Sequence, residues 1–202
     1  AALKQILNGY CGFNDNYPDG LYIADENGTL ITADDSSKKD SDPTSSVWYK
    51  DGLTRVNMRF TDAYTNEDGD AVISASGILN DGSDTLKVIS ADLSLDRISI
   101  IVNSFIEMDD AQAFLVNPKD GSILAHRDSS MISTRLSDSG DAFLKDVGAK
   151  VADGDYSLTK IDGNMTAFSE ISGTDWILVS YIPTSIIYKD VNKVRTDMIL
   201  VG

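Results

Sequence analysis

Residues 21–35 read LYIADENGTLITADD, and residues 114–128 read FLVNPKDGSILAHRD. With Gly28 set against Gly121, each stretch has an aromatic or aliphatic pair, an acidic or amide turn and the glycine. A Thr or Ser and two branched apolar residues follow. This pattern predicts strand, tight turn, strand, with the glycine taking the positive φ that a hairpin turn needs. A repeat of this length exceeds a solenoid unit and suits a small α+β module. The chain is therefore expected to hold two related modules in tandem.

Outward from the first hairpin, residues 1–7 predict the last turns of a helix, broken by Asn8-Gly9. Residues 34–46 read as a polar loop, and a short helix over 47–53 carries Trp48 and Tyr49. Strands are expected over 56–64, 71–79 and 85–93, separated by Asn-, Asp- and Gly-rich turns. Together with the hairpin they make a five-stranded antiparallel sheet that needs covering on its faces. The second module repeats this order. A helix over 96–106 places Ile98, Ile101, Val102 and Phe105 on one face, and a hairpin follows over 113–126. A helix over 139–151 and strands over 156–161, 166–171 and 176–182 complete it. Pro183 stands at or near the start of a last helix that Thr184 or Ser185 caps. Ile187, Val191, Val194 and Met198 recur along it at helical spacing. The boundary between modules is expected near residues 92–96.

The chain has 202 residues, 42% of them apolar, which suffices for packed cores. Seventeen Lys and Arg against 32 Asp and Glu give a net charge of −15. Such a surface repels phosphate backbones, so nucleic-acid binding is not expected. Cys11 is the single cysteine, which excludes an internal disulfide and a cysteine-based metal site. No apolar run of about 18 residues is present to span a membrane, and no signal-peptide pattern is visible. Both termini read as cuts from something longer: AALKQIL is already helical, and MILVG is apolar where it stops.

Catalytic signals are thin. His126 is the only histidine and reads as a surface or half-buried residue at a strand end. There is no Gly-x-Ser-x-Gly elbow, no phosphate loop and no His-Glu-x-x-His. The acidic turns at 25–28 and 66–70 lack the twelve-residue calcium pattern, and turn chemistry accounts for them. No cofactor or metal is expected.

One cluster stands apart. Trp48 and Tyr49 come from the helix beside the first sheet, Tyr64 ends one strand and Asp92 ends another. Converging on a concave face, these would make a cage for an ammonium group. The rings supply cation–π attraction and the acid a charge-assisted hydrogen bond. The alternative is structural, with the aromatic pair as core anchors and Asp92 as the cap of the following helix.

The ordered segments LYIADENGTLI, VWYKDGL, FTDAYTNEDGDAVISAS, VISADLSL, AFLVNPKDGSILAHRD and DWILVSYIP resemble the double-Cache domain. That family comprises extracytoplasmic sensor domains of bacterial chemoreceptors, sensor histidine kinases and cyclic-dinucleotide enzymes. The resemblance runs from Gly20 to the final helix and implies an α+β fold of two PAS-like modules between long terminal helices. It divides the chain into a membrane-distal ligand-binding module over 1–95, a membrane-proximal module over 96–182, and a helix over 183–202 leading to a transmembrane segment. In the amino-acid-binding branch the site uses Arg-x-Trp-Tyr, Tyr-x-Asp and a later Asp. Trp48, Tyr49, Tyr64 and Asp92 match this pattern, whereas Ser46 stands where the branch has its arginine and Asn66 where it has the first aspartate.

The resemblance thus implies a non-enzymatic domain that senses a small polar metabolite, an amino acid or an amine, in a membrane-anchored receptor that forms a homodimer. Trp48 would stack, Tyr49 and Tyr64 would hydrogen-bond, and Asp92 would anchor the amine, with polar contacts from Ser46 and Asn66. With Ser46 for arginine, a carboxylate would have to be held by Lys50 or Arg59, or be absent from the ligand. The rival readings are an interaction module without a ligand and a secreted hydrolase with an acidic site.

Overall fold

The computed structural model describes residues 21–32, 42–104, 106 and 110–188. The expected N-terminal helix, Cys11, and Val191, Val194 and Met198 of the last helix lie outside them. The described chain is α+β with two antiparallel sheets, and its internal contacts divide it between Ser94 and Leu95.

The first unit contains β1 (Leu21–Asp25), β2 (Leu30–Thr32), α1 (Val47–Leu53), β3 (Arg59–Phe60), β4 (Tyr64–Thr65), β5 (Ala71–Ile78) and β6 (Lys87–Ser94). The strands lie in the order β2-β1-β6-β5, with β3 and β4 both on the free side of β5. Gly28 has φ +79°, the left-handed conformation expected of the hairpin turn. Asp25 fixes that turn by accepting the amides of Asn27 at 2.9 Å and Thr29 at 2.8 Å through Oδ1. A short 3-10 turn, Pro43–Ser45, leads into α1, and Ser46 caps the helix. The helix rides directly on the sheet: a Cβ on Gly52 would lie 2.4 Å from Val88 Cγ1. Glycine is what permits that approach. Beneath α1, Tyr22, Ala24, Trp48, Tyr49 and Val88 form a small core.

The expected strand over 56–64 is broken into β3 and β4. At the break, Thr61 donates its amide to Ser74 O at 2.9 Å, and its hydroxyl accepts the Ser74 amide at 3.0 Å. A side-chain oxygen thus replaces a backbone carbonyl in the ladder. Continued unbroken from the Phe60–Ala75 pair, the ladder would set Tyr64 opposite Ala71; it faces Val72 instead. One extra residue has entered the edge, which is a β-bulge, and a one-residue slip turns every later side chain to the other face.

The second unit contains α2 (Leu95–Ser104), β7 (Gln112–Asn117), β8 (Ser122–Ala125), α3 (Ala142–Ala152), β9 (Thr159–Ile161), β10 (Asn164–Glu170) and β11 (Ile177–Pro183). Its sheet order, β8-β7-β11-β10-β9, repeats the connectivity of the first, and Gly121 has φ +71°. The helix expected from residue 139 starts at Ala142. Asp141 caps it, accepting the amides of Phe143 at 2.8 Å and Leu144 at 3.3 Å. The strand expected from 156 shortens to β9, because Asp155 pairs with Lys150 at 2.5 Å and accepts the Ser157 amide in a turn. Pro183 closes β11 and the chain turns helical over 184–188. Ile101, expected on the packed face of its helix, is 44% exposed; Leu95, Ile98 and Ser99 are the residues buried there. The apolar core of this unit runs from Phe114 and Val116 through Phe143 and Val147 to Val179.

Candidate functional site

β1, β5 and β6 carry a row of polar side chains beneath α1. Tyr22 stands opposite Ser90, Ser90 opposite Ser76, and Asp92 opposite Ser74. Side chains alternate across a strand and cross-strand partners share a face, so all five point to the α1 side. The bulge brings Tyr64 to that face as well, since its partner Val72 lies there.

Asp92 is 1% exposed and sits inside β6, not at its end, so it does not cap the following helix. Its Oδ1 accepts the Tyr22 hydroxyl and, at 2.5 Å, the Ser74 hydroxyl. The Tyr64 hydroxyl lies 2.6 Å from Ser74 Oγ and 3.5 Å from Asp92 Oδ1. Ser74 has one hydroxyl proton and gives it to Asp92, so Tyr64 is the donor to Ser74. The protons therefore run inward to one buried acceptor, which is how a carboxylate is accommodated out of water. Burial first, and then the negative charge of Asp92, pushes the hydroxyls of Tyr22 and Tyr64 well above the ordinary tyrosine value. Both remain donors at neutral pH.

Above this floor lies a cavity of about 200 Å³. Leu30, Pro43, Val47 and Trp48 line its apolar side; Ser46, Tyr64, Asn66, Glu67 and Asp92 line its polar side. Trp48 is buried and held edge-on by two rings, Tyr22 at 4.7 Å between centroids and Tyr49 at 5.7 Å. A wall so braced offers a rigid π surface beside a carboxylate.

Five of the residues expected at the site take positions the sequence does not specify. Tyr49 is not among the lining residues; it is buried in the core beneath α1. Its hydroxyl is pushed up by burial and by the charges of Glu26, Asp25 and Asp42, on the side of the hairpin turn. Ser46 lines the cavity, but its hydroxyl donates to Pro43 O at 2.6 Å and accepts the Tyr49 amide at 3.4 Å. Lys50 and Arg59 do not line the cavity. Asn66 does, but its Oδ1 is occupied by the amides of Asp68 at 3.0 Å and Asp70 at 2.9 Å, whereas its Nδ2 is buried with no partner. The oxygen expected to accept a bond from the ligand is taken up by the residue's own turn.

Tyr22 and Ser74 are the members that sequence reasoning does not reach. The signal is present: Ser74 and Ser76 alternate with Ile73, Ala75 and Gly77, as Ser90 and Asp92 alternate with Ile89, Ala91 and Leu93. Alternating polar residues in an antiparallel strand ordinarily mark the solvent face. Here α1 covers them.

The second unit fills the corresponding place. Phe143 is the second residue of α3 as Trp48 is of α1. Val179 lies between Phe114 and Phe168 as Ser90 lies between Tyr22 and Ser76, which puts Tyr181 where Asp92 would be. Phe143 packs on Tyr181 with centroids 4.5 Å apart, and the Tyr181 hydroxyl donates to Gln112 Oε1 at 2.9 Å.

Fold and site together define a domain of two related modules, one with a polar cavity beside α1, the other packed by Phe143 and Tyr181 at the corresponding place. A model of the Cache domain matches residues 1–191, and the chain belongs to that family. Among curated proteins it is similar to the methyl-accepting chemotaxis protein McpG of Pseudomonas putida, 32% identical over 119 residues. It also resembles the methyl-accepting chemotaxis protein PctB of Pseudomonas aeruginosa, 26% identical over 186 residues. These matches cover 58% and 89% of the chain, which spans only 19% and 29% of those relatives. Among solved structures, the PctB ligand-binding domain in complex with L-Arg superposes with a TM-score of 0.69 at 22% identity, covering 97% of this chain and 77% of that one. The ligand-binding domain of the Pseudomonas fluorescens chemoreceptor CtaA with L-isoleucine gives 0.63 at 23% identity, covering 84% and 70%. The fold is thereby that of a double PAS-like domain. Among the described residues no helix is long and apolar enough to cross a membrane, and no acidic, His or Cys cluster suits a metal ion.

Proposed function

We propose that this chain is the extracytoplasmic ligand-sensing domain of a bacterial transmembrane receptor of the chemoreceptor type, anchored in the cell membrane and acting as a homodimer. The first unit, membrane-distal in this reading, binds a small amine-bearing metabolite; the second relays the state. The domain acts by binding and catalyses nothing itself. The observation that carries the reading is the buried carboxylate of Asp92, fed by Tyr22, Ser74 and Tyr64, at a cavity walled by Trp48. An ammonium group is the partner that a buried acid beside an aromatic face suits. The cavity volume of about 200 Å³ fits a metabolite and not a peptide. The ligand acts by preferring one of two states of the domain, in proportion to its difference in affinity for them.

The test is a melting-temperature screen of amino acids, amines and small carboxylates, followed by calorimetric titration of each hit. A ligand at 100 times its Kd should stabilise the domain by about 2.7 kcal/mol. Asp92→Asn and Trp48→Ala are each expected to weaken binding at least about tenfold, a loss of about 1.4 kcal/mol. A ligand held equally well by both variants would place the site elsewhere, and a screen with no hit would favour an interaction module.

A further inference from the structure

One wall of the cavity is made of carbon. Leu30 comes to it from β2, Pro43 from the turn before α1, and Val47 and Trp48 from the first turn of that helix. Two serines lie among them, and both have their hydroxyl protons engaged within the chain. Ser45 donates to Asp42 O at 2.7 Å, and Ser46 donates to Pro43 O at 2.6 Å. The same wall is not closed over by the protein. Val47 is 42% exposed and Leu30 is only half-buried, although both border a site whose floor is fully buried. Apolar surface left open in a concave place marks where a partner with apolar surface of its own is received.

Resting on the reading that Asp92 holds an amine, we propose that Leu30, Pro43, Val47 and Trp48 select the rest of the ligand, and that it is a short branched aliphatic tail. Val47 is the specificity-determining residue, because its side chain is the one that such a tail takes out of water. A tail ending in an amide or hydroxyl would give up its hydration there and meet carbon, which a polar group repays only when it finds a hydrogen-bond partner. The cavity of about 200 Å³ sets the scale, since the amine and the tail have to share it.

The experiment uses pairs of nearly equal shape that differ in tail polarity, titrated calorimetrically into the whole domain. Valine is set against threonine and leucine against asparagine. Isobutylamine against 1-amino-2-propanol and isopentylamine against 3-aminopropanamide repeat the comparison without the carboxylate. The expected result is that the apolar member of each pair that binds does so at least about tenfold tighter, the discrimination an apolar pocket makes against an added polar group. From ethylamine through propylamine to isobutylamine, affinity should rise about fourfold with each added carbon. Val47→Thr keeps the shape of an exposed first-turn residue, so the melting temperature of the empty domain should hold. It sets a hydroxyl in the wall and should lower the preference for the apolar member at least about threefold. A polar member that binds as tightly as its apolar partner overturns the inference, and so does a preference that Val47→Thr leaves unchanged. In both cases loss of that binding in Asp92→Asn would keep the amine-sensing reading intact. If no member of any pair binds, this inference is likewise overturned, and the general screen with Asp92→Asn decides the sensing reading separately.

Discussion

Asp92 is the residue around which the first unit is organised, and its neighbours show what a buried carboxylate demands. Tyr22 and Ser74 give it their hydroxyl protons directly, and Tyr64 does so through Ser74. Replacing Tyr22 by Phe leaves the ring that braces Trp48 but removes one donor to a buried acceptor. The expected loss is about 1–3 kcal/mol of folding stability, read by denaturant titration, with weaker ligand binding. Alkaline titration gives a second check. The hydroxyls of Tyr22 and Tyr64 are raised above the ordinary tyrosine value of 10.0, so the folded state keeps protons that the unfolded state releases. Their contribution is fully present below that value and is lost as the pH climbs above it, so stability falls with rising pH there. Ultraviolet titration should find these two tyrosines ionising only as the domain unfolds. Ionisation of all tyrosines near pH 10 in the folded protein would contradict the burial.

At the scale of elements, the bulge between β3 and β4 decides the site more than any strand does. It turns Tyr64 onto the face of Ser74 and Asp92, and it explains why a strand expected over nine residues appears as two short pieces. Inserting one alanine after Ala63 should shift the chain beyond the bulge by one place, set Tyr64 opposite Ala71 and withdraw its hydroxyl from Ser74. Ligand affinity is then expected to fall at least about tenfold while the circular dichroism spectrum is retained. Undiminished binding would show that the bulge does not position Tyr64. Helix α1 contributes through its ends and its closeness: Ser46 caps it, and Gly52 lets it lie against Val88 over the polar row.

Across the whole molecule, the duplication is of frame and not of content. Both sheets have one connectivity and both hairpins turn on a left-handed glycine. Where the first unit has Trp48 and Asp92 at a cavity, the second has Phe143 packed on Tyr181. Phe143→Ala should therefore cost about 3–5 kcal/mol of stability in the second unit, the usual loss for a buried Phe. Affinity for the ligand of the first unit should stay within about twofold, because separate sites are close to additive. Calorimetric melting with and without ligand would measure both. Loss of ligand affinity in that variant would mean that the second unit shapes the site.

The amino-acid sequence by itself determined the two-module α+β frame, because hairpin turns, strand alternation and helix periodicity are local patterns that short stretches carry. It also picked out Trp48, Tyr64 and Asp92, whose residue types stand out in any context. Tertiary structure decided the rest. Tyr49 went into the core because the face of α1 that meets the sheet is wider than the cavity, and Tyr22 and Ser74 joined the site because partners across strands are distant in the chain. The oxygen of Asn66 went to its own turn, a hydrogen-bond balance that no spacing of residues expresses.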